Sequence, residues 1–153
     1  MGGTIVCDVT DPPAGQNAAE YAGALGARLD LRLVLVYVVS GVSAVSRESV
    51  TGRQDRSHAE RTLDAIAREV GHEAETRVAA GEHAEALARV AAEEGADLVV
   101  VGARPAGVGG RKLSWTLARE LEAATSVPVL LAPPSTRKRS DRRLAATVDT
   151  DTR

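Results

Sequence analysis

Short aliphatic runs alternate with longer stretches of helical period five times along the chain, and this alternation limits the possible folds more than any other feature. The runs are Thr4 to Val9, Leu31 to Val39, Glu73 to Ala79, Asp97 to Val101 and Val127 to Leu131. Each is short enough for a strand, and each is separated from the next by a segment too long for a hairpin turn. Strands joined in this way run parallel, with helices as the crossovers. The expected fold class is therefore α/β, a doubly wound, Rossmann-like layer structure with a five-stranded parallel sheet and helices on both faces. The second run is apolar almost throughout, as a strand covered on both faces should be.

The intervening segments support this reading. Thr10, Asp11, Pro12 and Pro13 stop the first strand and supply a cap and a proline near a helix start. A helix follows from Ala14 to about Arg28, with Ala18, Ala22 and Leu25 on one side. Asp55 to Val70 places Ala59, Leu63, Ile66, Ala67 and Val70 together. Glu82 to Glu94 does the same with Ala84, Leu87, Ala88 and Ala91, and Glu82 near its start suits the helix dipole. Gly95 ends that helix. The last helix, Leu113 to Ala124, turns Leu113, Leu117, Leu121 and Ala124 inward. Residues 40–54, rich in Ser, Gly and Val, are expected to form a long loop.

With no Phe, one Trp and two Tyr in 153 residues, the core must be built from Ala, Val and Leu packed closely between helices and sheet. Residues 1–134 make one domain of ordinary size, closed by Pro133 and Pro134. Residues 135–153 carry six basic and three acidic side chains and little apolar material, so they are expected to be a disordered, solubilising tail. The net charge of -2 argues against a protein that grips nucleic acid over a broad face. One cysteine permits no internal disulfide. The longest apolar run, Leu33 to Val39, is too short to cross a bilayer, and no secretory leader is evident. The expectation is a cytoplasmic protein.

The segment from Gly102 to Lys112 is the most ligand-like. In open parallel sheets, ligands settle beyond the C-terminal ends of strands where the strand order reverses. The loops after Val9 and Val101 leave two such ends, and if those strands are neighbours, Thr10 and Asp11 face the second loop across a crevice. Gly102, Gly107, Gly109 and Gly110 would let backbone amides approach an anion. Arg104, Arg111 and Lys112 add positive charge, and Ser114 and Thr116 stand near the following helix N-terminus. Asp11 could accept from ribose hydroxyls or adenine, and Val38, near the end of the second strand, completes the candidate set. The bland alternative is a flexible connection with solubilising charges. Neither GxGxxG nor GxxxxGK[ST] is present, so magnesium-dependent nucleotide hydrolysis has no support.

Four stretches carry a family resemblance: Thr4 to Ala22, Val78 to Leu87, Ala92 to Arg104 and Thr125 to Leu131. Together they resemble the universal stress proteins over roughly residues 4–133. The resemblance implies a sheet of order 3-2-1-4-5, a homodimer formed through the last strands (here 127–131), and a role in stress tolerance. Some family members bind ATP through a glycine pair followed by Gly-Ser or Gly-Thr. Here Gly102 matches the first glycine, Pro105 stands at the second and Trp115 at the third, followed by Thr116. The family's acidic residue after the first strand aligns with Thr10. Proline has no amide to give a phosphate, and an indole occupies space a triphosphate would need. Two functions remain: a stress-response protein that binds ATP, AMP or another adenine nucleotide at a degenerate loop, or a homodimeric interaction module that binds no ATP. Neither is an enzyme.

His58, His72, His83 and Cys7 show no metal-ligand spacing, and no catalytic set is assigned. Cys7 is expected to be a small buried hydrophobe. His83 beside Glu82 suggests a surface or capping position. Asp8 within the first strand is less ordinary, because a buried carboxylate needs a partner; it either projects toward the sheet end or pairs with an arginine. Trp115 either covers an apolar hollow beside the glycine-rich loop, the preferred reading, or stacks on a planar ligand group.

Overall fold

A computed structural model describes residues 2–11, 13–39, 50–70, 73–103 and 110–134; of residues 50–54 and 110–114 it describes the backbone only. Nine elements follow in order: β1 (Thr4–Asp8), α1 (Ala14–Leu29), β2 (Arg32–Val39), α2 (Val50–Glu69), β3 (Ala74–Ala80), α3 (His83–Glu94), β4 (Leu98–Gly102), α4 (Gly110–Ala124) and β5 (Val129–Ala132). The strands form one all-parallel sheet of order β3-β2-β1-β4-β5. The α/β class and the strand order are those expected.

Alternation along each strand distributes its side chains between two cores. Ile5, Cys7, Leu33, Leu35 and Val100 pack with Ala18, Ala19 and Ala22 of α1 and Leu63 and Ile66 of α2. On the other face Val6, Val34, Val36, Val99 and Val101 pack with Leu87, Val90 and Ala91 of α3 and Leu121 of α4. Small residues replace aromatic bulk. The buried side of α1 is made of Ala14, Gly15, Ala18, Ala19, Ala22, Gly23 and Gly26, so the helix backbone lies close to the sheet. A methyl on Gly23 would stand 2.6 Å from Val70 Cγ1.

Helix ends follow local chemistry. Gly95 closes α3 in the left-handed region, at φ 62°, and its N–H donates to the Ala91 and Ala92 carbonyls. Glu82 caps the start of α3, its carboxylate accepting from the Ala84 and Glu85 amides at 3.3 and 3.0 Å. At the end of the sheet where the strands begin, Arg32 and Arg77 join Glu75, Glu93 and Glu94 in one ion-pair network spanning β2, β3 and α3.

Two expectations need correction. Residues 50–54, read as part of a loop, form the first turns of α2, and residues 40–49 lie outside the described residues. The last helix begins at Gly110 rather than Leu113, so Gly110, Arg111 and Lys112 belong to helix rather than loop. In both cases the propagating helix extends through residues that local propensity disfavours, Val50, Thr51 and Gly52 in α2 and Gly110 in α4. The tail from 135 lies outside the described residues.

Candidate functional site

β1 and β4 are hydrogen-bonded neighbours, with Ile5 opposite Leu98, Val6 opposite Val99 and Cys7 opposite Val100. The chain runs outward from β1 to β3 on one side and from β4 to β5 on the other, so the strand order reverses between these two strands. The crevice beyond their C-terminal ends is the switch point where parallel sheets of this kind take ligands.

The first turn of α1 is pressed onto this end of the sheet, and two glycines permit it. A Cβ on Gly15 would lie 2.6 Å from Val9 Cα, and one on Gly102 would lie 2.1 Å from the Ala14 carbonyl oxygen. Gly102 therefore has a packing duty that its sequence reading as an amide donor did not include. The cap residue Pro13 makes no side-chain cap bond, and the α1 first turn contains no acidic residue. The Asp11 carbonyl accepts from the Gly15 amide at 2.8 Å, which ties the loop after β1 to the helix start.

A polar cluster occupies the end of β1. Asp8 shares the face of Val6, the side toward α3, and is buried. Its Oδ1 accepts from the Thr10 amide at 3.1 Å and from the Thr10 hydroxyl, while its Oδ2 lies 2.8 Å from His83 Nε2 at the start of α3. Thr10 Oγ1 in turn accepts from the Val38 amide at 3.0 Å. The ends of β1 and β2 and the beginning of α3 are thus joined through one carboxylate and one hydroxyl. Burial alone would push the His83 imidazole down; the hydrogen bond and charge of Asp8, together with the charges of Glu82 and Asp11, outweigh it and raise the group above its ordinary value. On the opposite face Tyr37 meets His58 edge to face, with ring centroids 6.1 Å apart. Burial pushes the Tyr37 phenol up, and the charges of Asp55, Asp11 and Asp8 push it further. The described rim is therefore acidic.

These contacts correct several residue assignments. The partner of Asp8 is a histidine, not an arginine, and His83 is neither a simple surface group nor the helix cap. Its position was missed because the cap residue Glu82 stands directly before it in sequence. The signal lay in parity: Asp8 shares a face with Val6, and α3 packs on that face. Thr10 and Val38 stand at the ends of β1 and β2, where the Val38 amide donates to the Thr10 hydroxyl. Asp11 stands beside them. Gly110, Arg111, Lys112, Ser114 and Thr116 lie on the first two turns of α4, with Thr116 exposed. Arg104, Pro105, Gly107 and Gly109 lie outside the described residues. Trp115 is 62% exposed, and the glycine-rich loop beside which it was expected to cover a hollow lies outside the described residues. Cys7 is buried as expected, and burial raises its thiol well above the usual range.

A second concavity of about 380 Å³ lies beside β3, lined by Arg56, Glu60, Leu63, Asp64, Thr76 and Val78. It is removed from the switch point. Among the described residues no three His, Cys, Asp or Glu side chains are placed to hold a metal ion, and no helix is long and apolar enough to cross a membrane.

Comparison with known proteins agrees with this architecture. A universal stress protein from Burkholderia pseudomallei superposes with a TM-score of 0.68 at 27% identity, covering 86% of this chain and 96% of its own. A universal stress protein crystallised in complex with cAMP gives 0.67 at 20% identity, over 84% and 95%. A family protein from Arabidopsis thaliana with AMP bound gives 0.62 at 17% identity, over 89% and 94%. No curated protein matches the chain. The family profile, described as Universal stress protein family, matches residues 1–133, which takes in every strand and helix above. On that match and on the sheet it spans, the chain belongs to the universal stress protein family.

Proposed function

We propose that this chain is a stress-response protein that acts by binding an adenine nucleotide in the crevice between the ends of β1 and β4, without turnover. The observation that carries the reading is the direct pairing of β1 with β4, which creates the switch-point crevice. Solved neighbours lend it ligand chemistry: one is in complex with cAMP, one has AMP bound, and one from Archaeoglobus fulgidus is in complex with dAMP. The amide-rich first turn of α4, with Arg111 and Lys112, suits the phosphate. A single phosphate fits this chain better than three, because Pro105 and Trp115 replace the glycines expected to approach a triphosphate. The protein would work in the cytoplasm as a homodimer.

One observation favours the second reading, an interaction module that binds no ATP. The Val38 amide and the Thr10 hydroxyl satisfy each other, which removes two groups from the ligand's reach. Isothermal titration of nucleotide-free protein with AMP, cAMP and ATP separates the two. Saturable heat with AMP or cAMP, weaker with ATP, is the expected result. Absence of heat with all three at concentrations suited to micromolar affinity leaves the interaction module.

A further inference from the structure

We propose that His83 is a specificity-determining residue of this crevice: the charge on its imidazole decides how much negative charge a bound adenine nucleotide can bring. The inference rests on the nucleotide-binding reading above and adds a residue that neither the glycine pattern nor the family resemblance points to.

The geometry restricts what the ring can do. Nε2 is held 2.8 Å from Asp8 Oδ2, and Asp8 is itself fixed by two bonds from Thr10. The ring is only partly covered, with 35% of the side chain exposed. Gaining a proton therefore requires no rearrangement of Asp8: the proton goes to Nδ1, and the imidazole becomes an imidazolium paired with a buried carboxylate.

The charged groups around the ring are one-sided. Among the described residues, Asp8 faces it from β1, Asp11 from the loop after β1, and Glu82 from the start of its own helix. The neighbouring strand ends contribute Val38 and Val39 from β2, Ala79 and Ala80 from β3, and Gly102 and Ala103 from β4, none of them charged, although Arg89 of α3 donates to the Ala80 carbonyl at 2.8 Å. A phosphate entering this rim meets carboxylates, and among the described side chains around the ring the imidazolium is the positive group that offsets them, beside the basic residues Arg111 and Lys112 that the sequence places after β4. When the ring is neutral, each further negative charge on the ligand meets a stronger opposing field. Burial lowers the imidazole, but the hydrogen bond and charge of Asp8 and the charges of Glu82 and Asp11 outweigh it and raise the group above its ordinary value. Linkage requires the reverse effect as well: a bound anion must strengthen proton binding at His83.

The test uses ligands whose own charge does not change. Cyclic AMP keeps one negative charge over the range, and adenosine has none, whereas the AMP phosphate titrates near pH 6 and would confuse the result. Affinity for cAMP should weaken about threefold to fivefold between about pH 5.5 and about pH 8.5, as expected for the loss of one unit charge in a partly solvated, screened site. Adenosine affinity should stay level. His83→Gln should bind cAMP with a flat pH profile at the weaker, high-pH affinity. As a measurement independent of any variant, proton NMR of the wild-type His83 ring should show its titration midpoint moving up when cAMP is added. A level cAMP profile in the wild type, or a slope that survives in His83→Gln, or an unmoved midpoint, overturns the proposal while leaving nucleotide binding intact. Failure to bind cAMP, AMP and adenosine at every pH overturns the underlying reading and the role of His83 with it.

Discussion

Gly102 shows how one residue can carry two duties that look the same in sequence. A glycine after an aliphatic strand reads equally well as an amide exposed to a phosphate and as a place where another backbone comes close. The structure shows the second duty, since a methyl there would sit 2.1 Å from the Ala14 carbonyl oxygen. Gly102→Ala should therefore destabilise the fold by about 1–3 kcal/mol, the usual range for overpacking against rigid atoms. The loss is read as a lower urea midpoint at unchanged slope. Gly2, with open space around it, is the control, and Gly2→Ala should leave the midpoint unchanged. The Asp8 contact was illegible for a different reason. Its need for a partner could be inferred from the cost of burying a carboxylate, but His83 lies 75 residues further along the chain, beyond two crossovers.

At the scale of elements, the five strands and four helices of the described residues were legible from periodicity, with ends displaced by a few residues. The larger errors fell at the starts of α2 and α4, where Thr51, Gly52 and Gly110 are poor helix formers and packing of the later turns decides the outcome. The start of α3 was readable because Glu82 has both the position and the chemistry of a cap. Glu82→Ala should cost about 1 kcal/mol through loss of its bonds to the Ala84 and Glu85 amides. The same substitution removes one of the carboxylates that raise His83, so the ring should titrate at lower pH, which NMR can follow. A midpoint that does not fall would mean that Asp8 and Asp11 control the ring without Glu82.

For the whole molecule, alternation of strands and helices was enough to establish the layers, but no residue pattern states which strands are neighbours. The order came from family resemblance, and the crevice depends on that order. The order also leaves β3 and β5 at the two margins of the sheet. β3 carries Glu75 and Arg77, both engaged in ion pairs, and such charges discourage pairing with another sheet. β5 is the short apolar run Val129–Ala132. The prediction is that two copies join through β5, seen as a dimer mass in sedimentation equilibrium; a monomer at all concentrations refutes it. A last consequence concerns synthesis. The strand that leaves the ribosome first is the innermost of the five, and one flank stays bare until Leu98 and its neighbours have been translated to cover it. The nascent protein thus exposes an apolar ribbon until β4 emerges, and that interval is when a chaperone would have most to protect.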